Sequence, residues 1–243
     1  LTARDFDGDG TMDIAAVNKG TKDFAILLNN GDGTLREPQS YSMGEGFPFG
    51  LQASDFNRDG HLDLVTVVRS TLSVLMNDGD GTFREAKIIE LSSLAGGVAT
   101  ADFDRDGDGD IVVGMPRNVV FAMNDGNGGF PLLARSTAFG TVTALTAAEV
   151  SGDKEVDIVV TIAAPGAFAV LSNDAPGGLS IEMRELALFG CSDPVRGCHP
   201  HAGAAFDLDG DGDLDVLGAN TFPGTFSIAL NDGSGTLEIA GAH

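Results

Sequence analysis

The sequence predicts an all-β fold, a β-propeller of five four-stranded blades, from two markers that recur in step and from the short apolar runs between them. The first marker is an acidic loop. It reads DFDGDGTMDI from Asp5, DFNRDGHLDL from Asp55, DFDRDGDGDI from Asp102, EVSGDKEVDI from Glu149 and DLDGDGDLDV from Asp207, with starts 50, 47, 47 and 58 residues apart. The second is a Gly-rich turn, read as NNGDGTL from Asn29, NDGDGTF from Asn77, NDGNGGF from Asn124, NDAPGGL from Asn173 and NDGSGTL from Asn231. Two markers holding one period in the high forties, with room for four strands per unit, are the signature of propeller blades.

Each strand follows from its place between the markers. The first strand enters the acidic loop (GLQASDF, GVATADF) and the second leaves it (DIAAV, DLVTVV, DIVVGM, DIVVTIA, DVLGA). The second strands are β-branched and apolar on both faces, as buried strands are. The third runs into the Gly-rich turn (FAILLN, LSVLMN, VVFAMN, FAVLSN, FSIALN), and the fourth leaves it with more charge (LREPQSYSM, FREAKIIEL), which suits an outer edge. No stretch has helical periodicity with caps. The reading is one domain over 1–243, with blades at about 1–46, 47–93, 94–138, 139–190 and 201–243 and an insertion at 191–200. Five blades can close a ring; a five-blade portion of a larger ring, such as a seven-bladed one, is the alternative.

Charge narrows the function. There are 36 Asp and Glu against 14 Lys and Arg, a net −22. Such a field repels nucleic acid and disfavours anionic membranes. No apolar run reaches the ~18 residues that span a bilayer; the longest, around Ile158–Ala164, is strand-sized. The chain opens LTARDFDGDG without Met or a basic flank, so it reads as mature, trimmed or a fragment.

The acids cluster in a D-x-D-x-D-G-x-x-D loop. Alternate acids at positions 1, 3 and 5 converge when the backbone curls, Gly at position 6 (Gly10, Gly60, Gly107, Gly212) permits the sharp turn, the position 7 carbonyl faces the same centre, and Asp at 9 closes it. Hard oxygen donors without His or Cys side chains select Ca²⁺ over zinc or copper. An EF-hand matches only the first six positions, since Glu at 12 and flanking helices are missing. A solvated Asp/Gly turn without metal is the alternative reading of one copy; five in register argue against it, because carboxylates within ~4–6 Å repel one another unless a cation lies between them.

These five loops and five turns resemble the FG-GAP, or VCBS-type, repeat family, best known in the propellers of integrin α subunits. The resemblance covers nearly the whole chain. It implies that the loop joining the first two strands of a blade binds Ca²⁺. The side-chain ligands would be Asp5, Asp7, Asp9 and Asp13; Asp55, Asn57, Asp59 and Asp63; Asp102, Asp104, Asp106 and Asp110; and Asp207, Asp209, Asp211 and Asp215. The position 7 carbonyls would come from Thr11, His61, Asp108 and Asp213. The fourth repeat departs from the pattern with Glu149, Ser151, Asp153 and Asp157, and with Lys154 in place of the turn Gly, so a weakened or empty site is expected there. The Asn-Gly turns are expected to supply positive φ for tight hairpins, with Asn and Gly both contributing; a second ion site is the lesser reading.

The longest step holds LFGCSDPVRGCHPHAG from Leu188. Cys191 and Cys198 can close a short disulfide loop in an oxidising compartment, or remain reduced thiols. His199 and His201 mark a candidate ligand loop, although no third metal ligand can be named and plain surface histidines are the alternative.

The expected function is a calcium-stabilised, non-catalytic binding, adhesion or scaffold module, extracellular or at the cell surface, with the periplasm as an alternative. Its partner would be a protein or glycan on a loop face, or a larger assembly. A lectin is the sub-hypothesis, weakened by the lack of Trp and by Tyr41 being the lone Tyr. The phenylalanines at repeat positions, Phe6, Phe56, Phe103 and Phe206, are expected in the core. A polysaccharide lyase or hydrolase using His199, His201 and Asp193 is the enzymatic alternative.

Overall fold

A computed structural model describes residues 1–163, 166–173, 181–188, 200–220 and 224–242. Among these residues all regular elements are strands. The first repeat is a meander of β1 (Thr2–Arg4), β2 (Asp13–Asn18), β3 (Asp23–Leu27) and β4 (Gln39–Ser42). The second is β5 (Pro48–Ser54), β6 (Asp63–Val68), β7 (Thr71–Leu75) and β8 (Lys87–Glu90). The fifth is β15 (Pro200–Phe206), β16 (Asp215–Asn220), β17 (Phe226–Asn231) and β18 (Leu237–Ala242). Neighbouring strands are antiparallel throughout.

The blade count corrects the expectation: among the described residues there are four blades, not five. Repeats three and four share one six-stranded sheet, ordered β14-β13-β12-β11-β10-β9. It comprises β9 (Gly97–Ala101), β10 (Asp110–Met123), β11 (Leu132–Ala148), β12 (Asp157–Ile162), β13 (Ala167–Asn173) and β14 (Ile181–Leu188). β11 pairs with β10 through its first part and with β12 through its last. The cause is local punctuation. The first and second repeats are parted by GEG (44–46) and the second and third by LAGG (94–97), whereas AFGTVT (138–143) offers one Gly among strand formers.

Burial follows the strand order. β6, β12 and β13 are buried at every position, while β8 is largely exposed. A strand buried on both faces needs a core on each side, and among the described residues an apolar core lies between each pair of successive repeats. One joins repeats one and two around Phe6, Phe24 and Phe83. Another joins two and three around Phe56, Ile111 and Phe130. A third joins three and four around Phe103, Phe121, Ile158, Val160 and Ile162. The last joins four and five around Val150, Phe168 and Leu237. Among the described residues no such core joins repeat five to repeat one, so the expected closed five-bladed ring is not formed by this packing.

Phe206 is a second correction. It is 38% exposed, because it precedes the acidic loop by one residue. The repeat position held by Phe6, Phe56, Phe103 and Val150, all buried, is occupied in repeat five by Leu208.

Candidate metal centre and the repeat interface

Each acidic loop is wound around its own carboxylates. In repeat one, Asp5 accepts from the amides of Gly8 (2.8 Å) and Gly10 (2.9 Å), and Asp207 accepts likewise from Gly210 and Gly212. The position 5 acid turns to the residue two ahead: Asp9 accepts from the Thr11 amide and hydroxyl, Asp59 from His61, Asp106 from Asp108, Asp153 from Glu155 and Asp211 from Asp213.

The position 9 aspartate is the buried anchor. Asp13 accepts from the amides of Phe6 (2.8 Å) and Asn29 (2.8 Å). Asp63 does so from Phe56 and Asn77, Asp110 from Phe103 and Asn124, Asp157 from Val150 and Asn173, and Asp215 from Leu208 and Asn231. One side chain thereby ties the start of the acidic loop to the start of the Gly-rich turn.

The structure brings positions 1, 3 and 9 together. Asp5, Asp7 and Asp13 offer oxygens within 4.8 Å of one another, as do Asp102, Asp104 and Asp110, and Asp207, Asp209 and Asp215. The fourth repeat forms a comparable group from Glu149, Asp153 and Asp157. There Lys154 adopts the left-handed backbone (φ 73°) that Gly10 and Gly60 adopt elsewhere. In repeat two Asn57 takes position 3, and its amide donates to Asp59. The position 5 acids Asp9, Asp106 and Asp211 stand outside these groups of three.

The donor set fits a hard cation. Asp102 Oδ1 and Ser151 Oγ are buried without a hydrogen-bond partner. Burial, then the charges of Asp13 and Asp9, push Asp7 above the usual carboxylate range. Burial also raises Asp104 and Asp209, raises Asp63 to about 6 and raises Asp110 to about 7. A cation among these oxygens relieves both the repulsion and the desolvation. Asp5, Asp7 and Asp13 and their equivalents are the residues that would hold it. Asp108 has another use: its buried carboxyl lies 3.0 Å from Arg58 of the preceding repeat.

Sequence reasoning missed the asparagines of the second marker. None has positive φ; the glycines of the turns headed by Asn29, Asn77, Asn124 and Asn231 do. Their side chains join repeats instead. Asn77 donates to the Phe6 carbonyl (2.8 Å), Asn124 to Phe56 (2.7 Å), Asn173 to Phe103 (2.7 Å) and Asn231 to Val150 (2.9 Å). The signal available in the sequence was the recurrence of Asn at the head of all five turns. The residue closing the turn packs on the same partner: Phe83 meets Phe6 edge-on at 5.9 Å, and Phe130 meets Phe56 at 5.6 Å.

A cavity of about 620 Å³ opens at the other end of the inner strands, lined by Phe47, Phe49, Arg69, Leu94 and Val98 among others. The Lys19 ammonium lies 5.6 Å from the Phe49 ring centre. Cys191, Cys198, Asp193 and His199 lie outside the described residues, and His201 is placed only as part of β15.

The FG-GAP-like repeat family matches residues 5–66 and 55–113. No curated protein matches by sequence. Among solved structures, the chain is similar to an Agrocybe aegerita lectin described by its specific recognition of non-reducing terminal N-acetylglucosamine, at 24% identity and TM-score 0.67 over 97% of this chain. The chain spans 63% of that lectin chain's length. It is also similar to BBS1N in complex with ARL6DN, at 12% identity and TM-score 0.56 for the mercury-soaked crystal, over 100% of this chain and 79% of that one. The lead-soaked crystal of the same complex gives 10% and 0.53, over 100% and 80%. These likenesses concern the fold. Residues 5–113 thus match the FG-GAP-like repeat family, and the strand order of the described residues is that of a β-propeller.

Proposed function

We propose that this chain is a calcium-stabilised binding or scaffold module that works outside the cell and carries no catalytic activity. The observation that supports it most is the group Asp102, Asp104 and Asp110, in which a buried carboxylate oxygen has no protein donor. Calcium would fix each loop and favour the folded state by mass action. Sites in extracellular modules bind at roughly 10⁻⁴–10⁻³ M, a range that suits a calcium-rich exterior. The test is a melting curve in millimolar calcium and again with chelator. A fall in Tm of more than about 10 °C is expected from several linked sites; an unchanged Tm would reject the reading.

A glycan ligand is the second reading, favoured by the cavity with its exposed Phe47 and Phe49. Phenyl faces can stack on a sugar ring, and Arg69 can donate to its hydroxyls. Binding on a glycan array that is lost in Phe49→Ala would support it, and an array without signal would remove it.

A further inference from the structure

We infer that the cavity at the other end of the inner strands binds a small anion, a carboxylate carried on a ring with an apolar face, and that Arg69 is the group that takes the carboxylate. The inference rests, as the glycan reading does, on this cavity being the ligand site, and it names what the ligand must carry. All the lining residues but Gly203 belong to repeats two, three and four. Each of these repeats has another repeat of the same chain on both sides, so the cavity belongs to the interior of the array.

Its floor is backbone. A side chain on Gly96 would strike the Val142 carbonyl, and one on Gly97 would press on Ala144, so two glycines let the start of β9 lie close to β11. Its rim is apolar and open: Phe47, Phe49 and Leu94 are 56%, 42% and 58% exposed. Large apolar side chains left open around one concavity mark a ligand site. The volume of about 620 Å³ is that of a small-molecule site.

Charge selects the ligand. The chain carries a net −22, yet no Asp or Glu lines this cavity among the described residues. Arg69 is held in place there. Its backbone is left-handed (φ 56°), its carbonyl accepts from the Ala95 amide at 2.8 Å, and its stem passes over Gly46, where an added Cβ would come within 2.6 Å of it. Among the described residues no hydrogen bond or ion pair engages its guanidinium. Glu45, beside Gly46, is taken by Lys22 at 2.7 Å. The Lys19 ammonium, 5.6 Å from the Phe49 ring centre, adds a second positive charge. Other polar lining groups are already committed: Gln52 donates to the Val98 carbonyl and Thr143 to the Thr161 carbonyl. What remains is a planar fork of donors beside phenyl rings. A guanidinium binds a carboxylate through two parallel hydrogen bonds, and the rings take the ligand's apolar face. An acidic sugar and an aromatic acid share this chemistry.

The test is titration calorimetry of the 243-residue chain in constant millimolar calcium, with two matched pairs of probes: 2-naphthylacetate against 2-naphthylacetamide, and glucuronate against glucose. The pair that binds tells an aromatic acid from an acidic sugar. In at least one pair the acid should bind tenfold or more tightly than its neutral partner, and less tightly as sodium chloride is raised. Arg69→Gln, at an exposed side chain, should abolish that preference and leave the neutral partner's affinity unchanged; Phe49→Ala should weaken both partners. Circular dichroism checks the fold of each variant. Absence of binding by either acid overturns the proposal, and so does an acid that binds no better than its neutral partner. A preference that survives Arg69→Gln also overturns it, because the carboxylate would then be held elsewhere, as by calcium in the acidic loops. Glucose binding as tightly as glucuronate would sink this inference and leave the glycan reading standing.

Discussion

Asn124 donates its side-chain amide to the Phe56 carbonyl, 2.7 Å away and 68 residues earlier in the chain. The same amide donates to Gly109 in its own repeat, while the Asn124 backbone N–H goes to Asp110. One residue therefore connects the acidic loop of repeat two, the acidic loop of repeat three and the anchor that holds the latter. Loop geometry and repeat packing are mechanically joined at this point.

Asn124→Ala should destabilise the protein by about 1–3 kcal/mol, because it leaves the buried carbonyls of Phe56 and Gly109 without donors. Asn29→Ala should cost about 0.5 kcal/mol, since that partly exposed amide donates only to Met12 of its own repeat. Urea midpoints of the two variants, compared at dilute concentration, check the contrast; equal losses would contradict it.

Asp110→Asn should remove about 2 kcal/mol, because an amide has one acceptor oxygen where the Phe103 and Asn124 N–H groups need two. The same change should lower calcium occupancy by one site, counted by titration calorimetry. Retained stability together with retained stoichiometry would refute the anchor role.

Phe83→Ala should cost about 3–5 kcal/mol. The ring packs edge-on against Phe6 and against Tyr41 at 5.6 Å, and its backbone N–H donates to the Tyr41 hydroxyl. Leu35→Ala, at the matching but exposed position, should cost far less by thermal denaturation.

The metal-free protein should weaken as pH rises from about 4 to about 7. Asp63 and Asp110 hold their protons up to about 6 and about 7 in the fold, against 3.8 for an unperturbed aspartate. The folded state therefore binds more protons across that window, and its stability is lost as pH climbs through the raised values. Urea midpoints in chelator near pH 5 and near pH 8 should show the lower value at the higher pH. Calcium should shrink the difference, since it compensates the ionised carboxylates.

The repeat, the strand order and the acidic groups were legible in the sequence because each is set by residues within one unit: the apolar run, the turn glycines and the alternating acids lie a few positions apart. Asp13 and its equivalents belong to the acidic motif by their spacing, but their second bond, to the following turn's asparagine, spans 14 to 16 residues and depends on how the hairpins meet. The merger of repeats three and four through β11 and the solvent-facing place of Phe206 have local causes, a single Gly at 140 and a position one residue before the acidic loop, yet the period of the repeat masked both. Only the tertiary structure decided that the turn asparagines fasten one repeat to the one before, because the bonded residues lie about 70 positions apart in the chain, where local composition carries no information about which surface a side chain will meet.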